Sequence, residues 1–174
     1  LLLSLIITSC SNNRSHTLVS PDGNLQLEFF RTEEGGVLYS FKADDQILID
    51  SSRLGFKSET GENILWENWQ IENAEYREVD QVWEPLWGKR AKVADRFGEL
   101  TLHLTTAHPY PLTNIQIKAR AYNDGIAFRY IIPSDGNTSL TTNSELTDFN
   151  FAGDYTAWFY NGENHNIGPE KLSE

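Results

Sequence analysis

The stretch Ala121-Tyr122-Asn123-Asp124-Gly125-Ile126-Ala127-Phe128-Arg129-Tyr130 reads as a turn followed by a strand, and it decides the fold class. Asn-Asp-Gly predicts the turn, because glycine tolerates positive φ and Asn or Asp side chains bond their own backbone. Apolar side chains then recur at every second position from Ile126 to Ile132, which is the period of a β-strand. The stretch therefore predicts β-structure, with Arg129 set among apolar neighbours.

Other short segments show the same alternation and are separated by polar turns. Glu34-Gly35-Gly36 lies between two of them and predicts a hairpin. No stretch has a sustained helical period of apolar residues. Regularly spaced short strands favour an all-β antiparallel sandwich or barrel. The predicted strands are Leu25–Phe29, Val37–Phe41, Gln46–Ile49, Leu100–Leu104, Ile115–Ala121, Ile126–Ile132 and Tyr155–Tyr160.

The first ten residues resemble an export signal rather than part of a fold. The apolar run at residues 1–7 is shorter than the roughly 20 residues of a membrane span and suits a secretory h-region. Ile7-Thr8-Ser9-Cys10 is similar to a bacterial lipobox, which predicts lipidation of Cys10. A buried N-terminal strand is the alternative. Residues 1–10 are thus interpreted as a lipoprotein signal, 11–16 as a polar linker and 17–174 as one β-domain.

Composition excludes several classes of protein. Cys10 is the sole cysteine, which rules out internal disulfides and cysteine-rich zinc sites. Lys and Arg number 14 against 25 Asp and Glu, and this net charge of −11 argues against nucleic acid as a partner. An exported protein with a neutral ligand such as sugar fits this charge. The expected location is the periplasm or outer membrane of a Gram-negative bacterium, with a lipid anchor.

The tryptophans Trp66, Trp69, Trp83 and Trp87 allow two interpretations. Indole rings stack on the C–H faces of sugars, so the cluster offers a stacking platform. Tryptophan more often fills a core, and we expect core packing for each of them.

No catalytic machinery is recognisable in this segment. A glycosidase needs two carboxyl groups about 5 to 9.5 Å apart, and sequence singles out no such pair among the acids. The histidines lack metal-ligand spacing, and neither a G-x-S-x-G elbow nor a phosphate loop occurs. Arg129 could bond a sugar hydroxyl or anchor a carboxylate at a domain junction. The alternative, that it faces solvent or pairs with an acid, is the one we expect.

One segment near the C-terminus presents a carboxylate among amides. Trp158-Phe159-Tyr160-Asn161-Gly162-Glu163-Asn164-His165-Asn166 reads as a strand that ends in aromatic residues and then a glycine-containing loop. Calcium takes carboxylate and carbonyl oxygens, so Glu163 is a candidate ligand for a shared site. A solvated loop acid is the alternative.

Four phrases in order resemble the N-terminal domain of glycoside hydrolase family 97. They are Ser20-Pro21-Asp22-Gly23, Ser52-Arg53-Leu54-Gly55, residues 83–90 beginning Trp83-Glu84-Pro85-Leu86-Trp87-Gly88, and Ala121 to Tyr130. The resemblance implies an antiparallel β-supersandwich of the galactose-mutarotase type, followed by a catalytic (β/α)₈ barrel that this chain does not contain. It also implies an exported calcium-dependent enzyme acting on α-glucosides or α-galactosides.

The resemblance assigns few residues within this chain. The family's catalytic carboxylates lie on the barrel, so no catalytic residue is expected here and the fragment alone should be inactive. The family's calcium site includes a glutamate of the N-terminal domain. Glu163 is the best match to it by position, and Glu170 is the second choice.

Two other functions remain open at this point. The first is a non-catalytic carbohydrate-binding surface lipoprotein. The second is a mutarotase-like sugar epimerase, which requires a histidine and a glutamate converging in one cleft, with His103 or His108 as the histidine.

Overall fold

A computed structural model describes residues 15–108, 112–133, 141–160 and 166–173, apart from the side chains of residues 166 and 167. Within these ranges the chain forms fourteen strands, and every recorded strand pairing is antiparallel. The strands are β1 Ser15–Val19, β2 Leu25–Arg31, β3 Val37–Ala43, β4 Gln46–Arg53, β5 Phe56–Ser58, β6 Asn63–Ile64, β7 Trp69–Trp83, β8 Val93–Thr106, β9 Asn114–Tyr122, β10 Gly125–Ile131, β11 Thr142–Glu145, β12 Asn150–Phe151, β13 Thr156–Tyr160 and β14 Asn166–Lys171.

Two sheets form the body of the molecule and two smaller ones flank it. The larger sheet has the order β1-β2-β3-β4-β12, and the second has the order β10-β9-β8-β7. A three-stranded sheet β11-β5-β6 and the hairpin β13-β14 complete the described part. The all-β antiparallel sandwich expected from the sequence is confirmed. None of the described segments forms a helix, so none provides a helical membrane span.

The core lies between the two larger sheets and follows the alternation of their strands. Phe128 of β10 bridges them, with its ring 6.2 Å from that of Phe29 on β2 and 5.2 Å from that of Tyr39 on β3. Aromatic pairs at these distances stabilise a core beyond the area that they bury. The buried apolar side chains of the two sheets include Leu18, Leu27, Phe29, Val37, Tyr39, Ile49, Leu100, Leu102, Leu104, Ile115, Ile117, Ala119 and Ala121.

The hairpin predicted from the opening stretch is present, with one difference. Tyr122 of β9 pairs with Gly125 of β10, so Asn123 and Asp124 alone form the connection. Gly125 belongs to the strand, and its φ is not positive. The turn therefore does not use the backbone freedom of glycine on which the sequence argument rested. At the predicted β2–β3 turn that freedom is used, because Gly35 has a φ of 89°.

The strand at the beginning of the described chain departs from the predicted boundary. β1 starts at Ser15 and pairs with β2 from Ser15↔Phe30 to Val19↔Gln26. The first strand therefore takes up residues 15 and 16, which the sequence had assigned to the polar linker. The ladder bonds to β2 join backbone groups, so Ser15 and His16 can extend the strand although their side chains are polar.

The long hairpin of β7 and β8 extends past the rest of its sheet. β9 pairs with β8 only from Gly98 to Thr105, whereas β7 pairs with β8 along its whole length to Trp83↔Val93. From Val93 to Phe97, β8 is therefore paired with β7 alone. We call this two-stranded extension, residues 79–97, the arm.

Candidate functional site

The hairpin of β13 and β14 flanks the loop in which the sequence places the metal ligand. Tyr160 pairs with Asn166, so residues 161–165 connect the two strands. Glu163 lies in this connection, outside the described residues, and its role as a calcium ligand stays a prediction. Glu170, the second choice, lies on β14 with a half-buried side chain. Cys10 also lies outside the described residues, and its lipidation stays a prediction.

The described residues alone do not assemble a metal site. No group of three or more His, Cys, Asp or Glu side chains converges among them in a way that could hold an ion. Calcium takes about six to eight oxygen ligands, so this chain can supply only part of such a site through its described residues.

Exposed aromatic side chains are concentrated near the same hairpin. Trp158 is 70% exposed and Tyr160 69% exposed on β13. Phe149 and Phe151, which lie on and beside β12, are also exposed. Soluble monomers rarely leave large apolar areas uncovered, so this region has the character of a contact surface.

The four tryptophans separate into two groups. Trp69 is fully buried at the start of β7, and Trp66 is half-buried with the Arg53 guanidinium 4.7 Å from its ring centre. Core packing is thus confirmed for Trp69. Trp83 and Trp87 lie on the arm, and Trp87 is 85% exposed. The expectation of core packing is wrong for these two, because the arm projects past the sheet that would have covered them.

Arg129 faces solvent on β10, as expected, and belongs to a group of cations on the outer face of its sheet. It pairs across the strands with Lys118, and Arg120 lies two residues further along β9. Lys118 and Arg120 form ion pairs with Glu99 of β8, which is 4% exposed. Sequence reasoning missed Glu99. The available signal was an acid directly before the alternating leucines of β8, opposite the basic residues of β9.

Three cations hold the Glu99 carboxylate. Arg77 Nη2 lies 2.9 Å from one oxygen, Arg120 Nε 2.9 Å from the other, and Lys118 Nζ 3.7 Å from the first. Burial opposes ionisation of Glu99, but the hydrogen bond from Arg120 and the charges of Lys118 and Arg77 outweigh it and lower its pKa. Through its contacts with Arg77, Lys118 and Arg120, the ionised Glu99 carboxylate on β8 links β7 and β9 to its own strand.

Glu99→Gln should lower the free energy of unfolding by about 1.5–3 kcal/mol at neutral pH, because hydrogen bonds to a charged group are lost. A carboxyl with a depressed folded-state pKa contributes stability above its unfolded pKa, and this contribution is lost as pH falls through the folded value. The deficit of the variant should therefore shrink on acidification below about pH 4. Urea unfolding at a series of pH values measures this.

Asp80→Asn serves as the matched control for that experiment. Asp80 forms an exposed ion pair with Arg96 at 3.5 Å, and such pairs contribute at most about 1 kcal/mol. An equal loss in both variants, or a Glu99→Gln deficit that does not change with pH, would contradict the role given to Glu99.

The histidine and glutamate that a mutarotase-like epimerase would need come together in one place. His103 Nε2 of β8 lies 3.1 Å from Glu75 Oε1 of β7. The pair sits on the open outer face of the sheet, where the Glu75 side chain is 63% exposed. His108 follows the end of β8, away from this pair in sequence. The two groups converge on a surface rather than in a cleft, which does not favour the epimerase.

Both the sequence and the fold of this chain match known proteins. A family model described as "Glycosyl-hydrolase 97 N-terminal" matches residues 18–174, nearly the whole chain. The chain is therefore an antiparallel β-sandwich domain, and it belongs to the glycosyl-hydrolase 97 N-terminal family.

Individual relatives are several times longer than this chain. It is 24% identical over 190 aligned residues to a retaining alpha-galactosidase of Bacteroides thetaiotaomicron, covering 100% of this chain and 27% of the relative. A glycoside hydrolase family 97 enzyme from Pseudoalteromonas sp. strain K8, solved with acarbose, superimposes with a TM-score of 0.72 at 25% identity. That match covers 84% of this chain and 22% of the enzyme.

A further solved structure widens the range of activities among the relatives. A beta-arabinopyranosidase superimposes with a TM-score of 0.69 at 26% identity, over 82% of this chain and 22% of that protein. The chain thus spans about a quarter of the length of the relatives that it matches. The activity of the whole protein is taken up below as a proposal.

Proposed function

We propose that this chain is the N-terminal domain of an exported, calcium-dependent glycoside hydrolase that acts on α-glucosides or α-galactosides. The family match over residues 18–174 carries the proposal, because the matched relatives are glycoside hydrolases. The retaining alpha-galactosidase supports the galactoside branch, and the acarbose complex supports a carbohydrate ligand in the family. The catalytic carboxylates are placed on a barrel domain that follows in the complete gene product.

In this proposal the sandwich packs against the barrel through its C-terminal aromatic surface and lines one side of the sugar pocket. Trp158, Phe159 and Tyr160 are exposed on β13, immediately before the loop that contains Glu163. Burial of such side chains against a neighbouring domain would stabilise the contact by about 1.5–3 kcal/mol each. The same contact would deliver the carboxylate of Glu163 to the junction.

Glu163 acts in this arrangement as one oxygen donor to the shared calcium. When bound, calcium supplies Lewis-acid polarisation of a sugar oxygen. In this proposal the chain contributes the Glu163 carboxylate from between β13 and β14, and the aromatic side chains of β13 exclude water. A lipid anchor at Cys10 would hold the enzyme at the membrane surface with an oligosaccharide as its substrate.

Glu163→Gln in the complete gene product should weaken calcium binding by about tenfold or more, because the charge of the ligands sets calcium affinity. Turnover of 4-nitrophenyl α-glucoside or α-galactoside should fall at limiting calcium and recover in part at high calcium. Calorimetric titration with Ca²⁺ and initial rates measure the two effects.

Glu170→Gln is the matched control, since Glu170 lies on the same hairpin. Unchanged calcium affinity and turnover in Glu163→Gln would remove Glu163 from the site, and losses in the Glu170 variant instead would transfer the role to Glu170. A complete gene product without activity on either substrate class would overturn the proposed function itself.

A further inference from the structure

A cavity of about 560 Å³ opens at one end of the sandwich, apart from the β13–β14 hairpin. Its walls are the β2–β3 turn, the end of β4 and the segment between β6 and β7. The volume lies in the range of about 300–1,000 Å³ that small-molecule sites occupy. The polar and aromatic side chains that line it include Glu34, Arg53, Glu62, Asn63, Trp66 and Glu67.

Gly35 and Gly36 allow the backbone of the β2–β3 turn to contact the backbone of residues 66–68 in the wall of this cavity. A Cβ on Gly36 would lie 2.5 Å from the carbonyl oxygen of Trp66, and one on Gly35 would lie 2.7 Å from the amide nitrogen of Asn68. The Asn68 amide donates to the Glu34 carbonyl at 2.7 Å. No side chain other than hydrogen fits at these two positions, so the turn and the facing segment form one rigid wall.

Backbone strain is concentrated in the same wall. Leu65 is fully buried and has a φ of 70°, and Asn68 has a φ of 64°. Positive φ is a true outlier for a bulky residue such as leucine and costs on the order of 1–3 kcal/mol. The Leu65 carbonyl is held by the Val37 amide at 2.8 Å. Strain of this kind persists where the surroundings fix it, and it is common at ligand clamps.

The Arg53 guanidinium, beside Trp66, has hydrogen-bond donors available at the cavity. The Arg53 guanidinium stacks over the indole ring at 4.7 Å. Its side chain is exposed and, among the described residues, forms no ion pair although carboxylates line the same cavity. Trp66 Nε1 is buried against Gly55, so the indole offers the cavity its ring and not its N–H.

Carboxylates also line the cavity, and among the described residues none of them forms an ion pair with Arg53. Glu62 is held at the base by Ser58, whose hydroxyl donates to Oε2 at 2.6 Å, and by Thr60. Glu34 and Glu67 are exposed at the rim. The cavity therefore offers a planar donor fork, an amide from Asn63, several acceptors and an aromatic surface.

The geometry points to a binding site for an uncharged saccharide in this cavity. Sugar hydroxyls both donate and accept, which matches an arginine fork beside carboxylates, and the C–H faces of the ring match an indole. The carboxylates disfavour an anion, and the Arg53 guanidinium disfavours a simple cation. The inference rests on the proposed function only for the choice of sugar probes.

Hydrogen–deuterium exchange of the complete gene product tests this directly. Glucose, galactose and arabinose are the probes, since none of them can be hydrolysed further, and sorbitol controls for a general solute effect. Local exchange slows by the factor 1 + [L]/Kd, about tenfold at a concentration of ten times Kd. We expect slowing with at least one sugar in peptides that cover residues 32–38 and 62–69.

Arg53→Ala should abolish this local protection, and Arg53→Lys should retain only part of it, because lysine keeps the charge but lacks the planar fork. Arg129→Ala is the matched control, since Arg129 is an exposed arginine on the outer face of the other sheet. Its protection pattern should equal that of the parent protein.

Three results would overturn the inference: no protection of these peptides by any of the sugars, equal protection by sorbitol, or protection that survives Arg53→Ala. A cavity already filled by another part of the gene product would give the first result, with these peptides protected before any sugar is added. Hydrolytic activity is measured separately, so loss of the proposed function and loss of the saccharide site are distinguishable.

Discussion

Trp69→Ala should lower the free energy of unfolding by about 3–5 kcal/mol, the usual cost of removing a large aromatic side chain from a core. Trp69 is fully buried where β7 begins. It packs within the cluster that joins the two larger sheets, and its backbone amide donates to the Gly35 carbonyl at 3.1 Å. Its removal leaves a cavity that these fixed strands cannot close. Urea unfolding of the chain measures the effect.

Trp87→Ala is the matched control for that measurement. The same side chain is deleted, but Trp87 is 85% exposed at the tip of the arm. Its loss should change the free energy of unfolding by less than about 0.5 kcal/mol. Comparable losses in the two variants would show that the tip of the arm is packed and that the division of the tryptophans given above is incorrect.

Gly55→Ala should destabilise the chain by about 3 kcal/mol or more, because backbone strain and overpacking act together. Gly55 has a φ of 153°, and an added Cβ would lie 2.3 Å from the carbonyl oxygen of Ile64 and 3.1 Å from Trp66 Nε1. The first contact is with backbone of the adjacent strand β6, which cannot move without breaking its pairing with β5. The midpoint of urea or thermal unfolding reports the loss.

Gly88→Ala separates the two causes. Gly88 also has a positive φ, 132°, but an added Cβ there meets nothing within 4 Å. Only the strain remains, at about 1 kcal/mol. A loss at Gly55 no larger than that at Gly88 would mean that β6 shifts to admit the methyl group.

The strands that carry the core were predictable because their alternation is simple. β9 reads Ile115, Ile117, Ala119 and Ala121 on one face, and all four are buried. Strands of this kind have one face on the core and one in solvent, so period 2 is visible in the sequence.

β7 was not predictable in the same way, although it is the longest strand described. It is an edge strand whose side chains are mostly exposed, and its register shifts between Ile71 and Asn73. The bulge moves the inward positions from Trp69 and Ile71 to Ala74, so no single period runs through the segment. A polar, bulged edge strand gives no alternation for the sequence to show.

The candidate sites also differ in whether a local sequence pattern or contacts between distant segments form them. The strand that precedes Glu163 was predictable from its aromatic run, which is a local signal, whereas its partner β14 was not predicted. The saccharide cavity was not, because it depends on Arg53, Trp66 and Glu34 meeting from separate segments across close glycine contacts. The Glu99 cluster likewise requires the register of three strands.

The arm has a consequence for how chains of this family can differ in length. From Val93 to Phe97 the backbone of β8 pairs with β7 alone, and Leu86 at the tip of the arm is 94% exposed. Residues inserted or deleted in pairs on both sides of the tip would lengthen or shorten a free-standing ribbon while the register of the sandwich stayed in place. This ribbon is therefore where related sequences can vary in size without any cost to the packed interior.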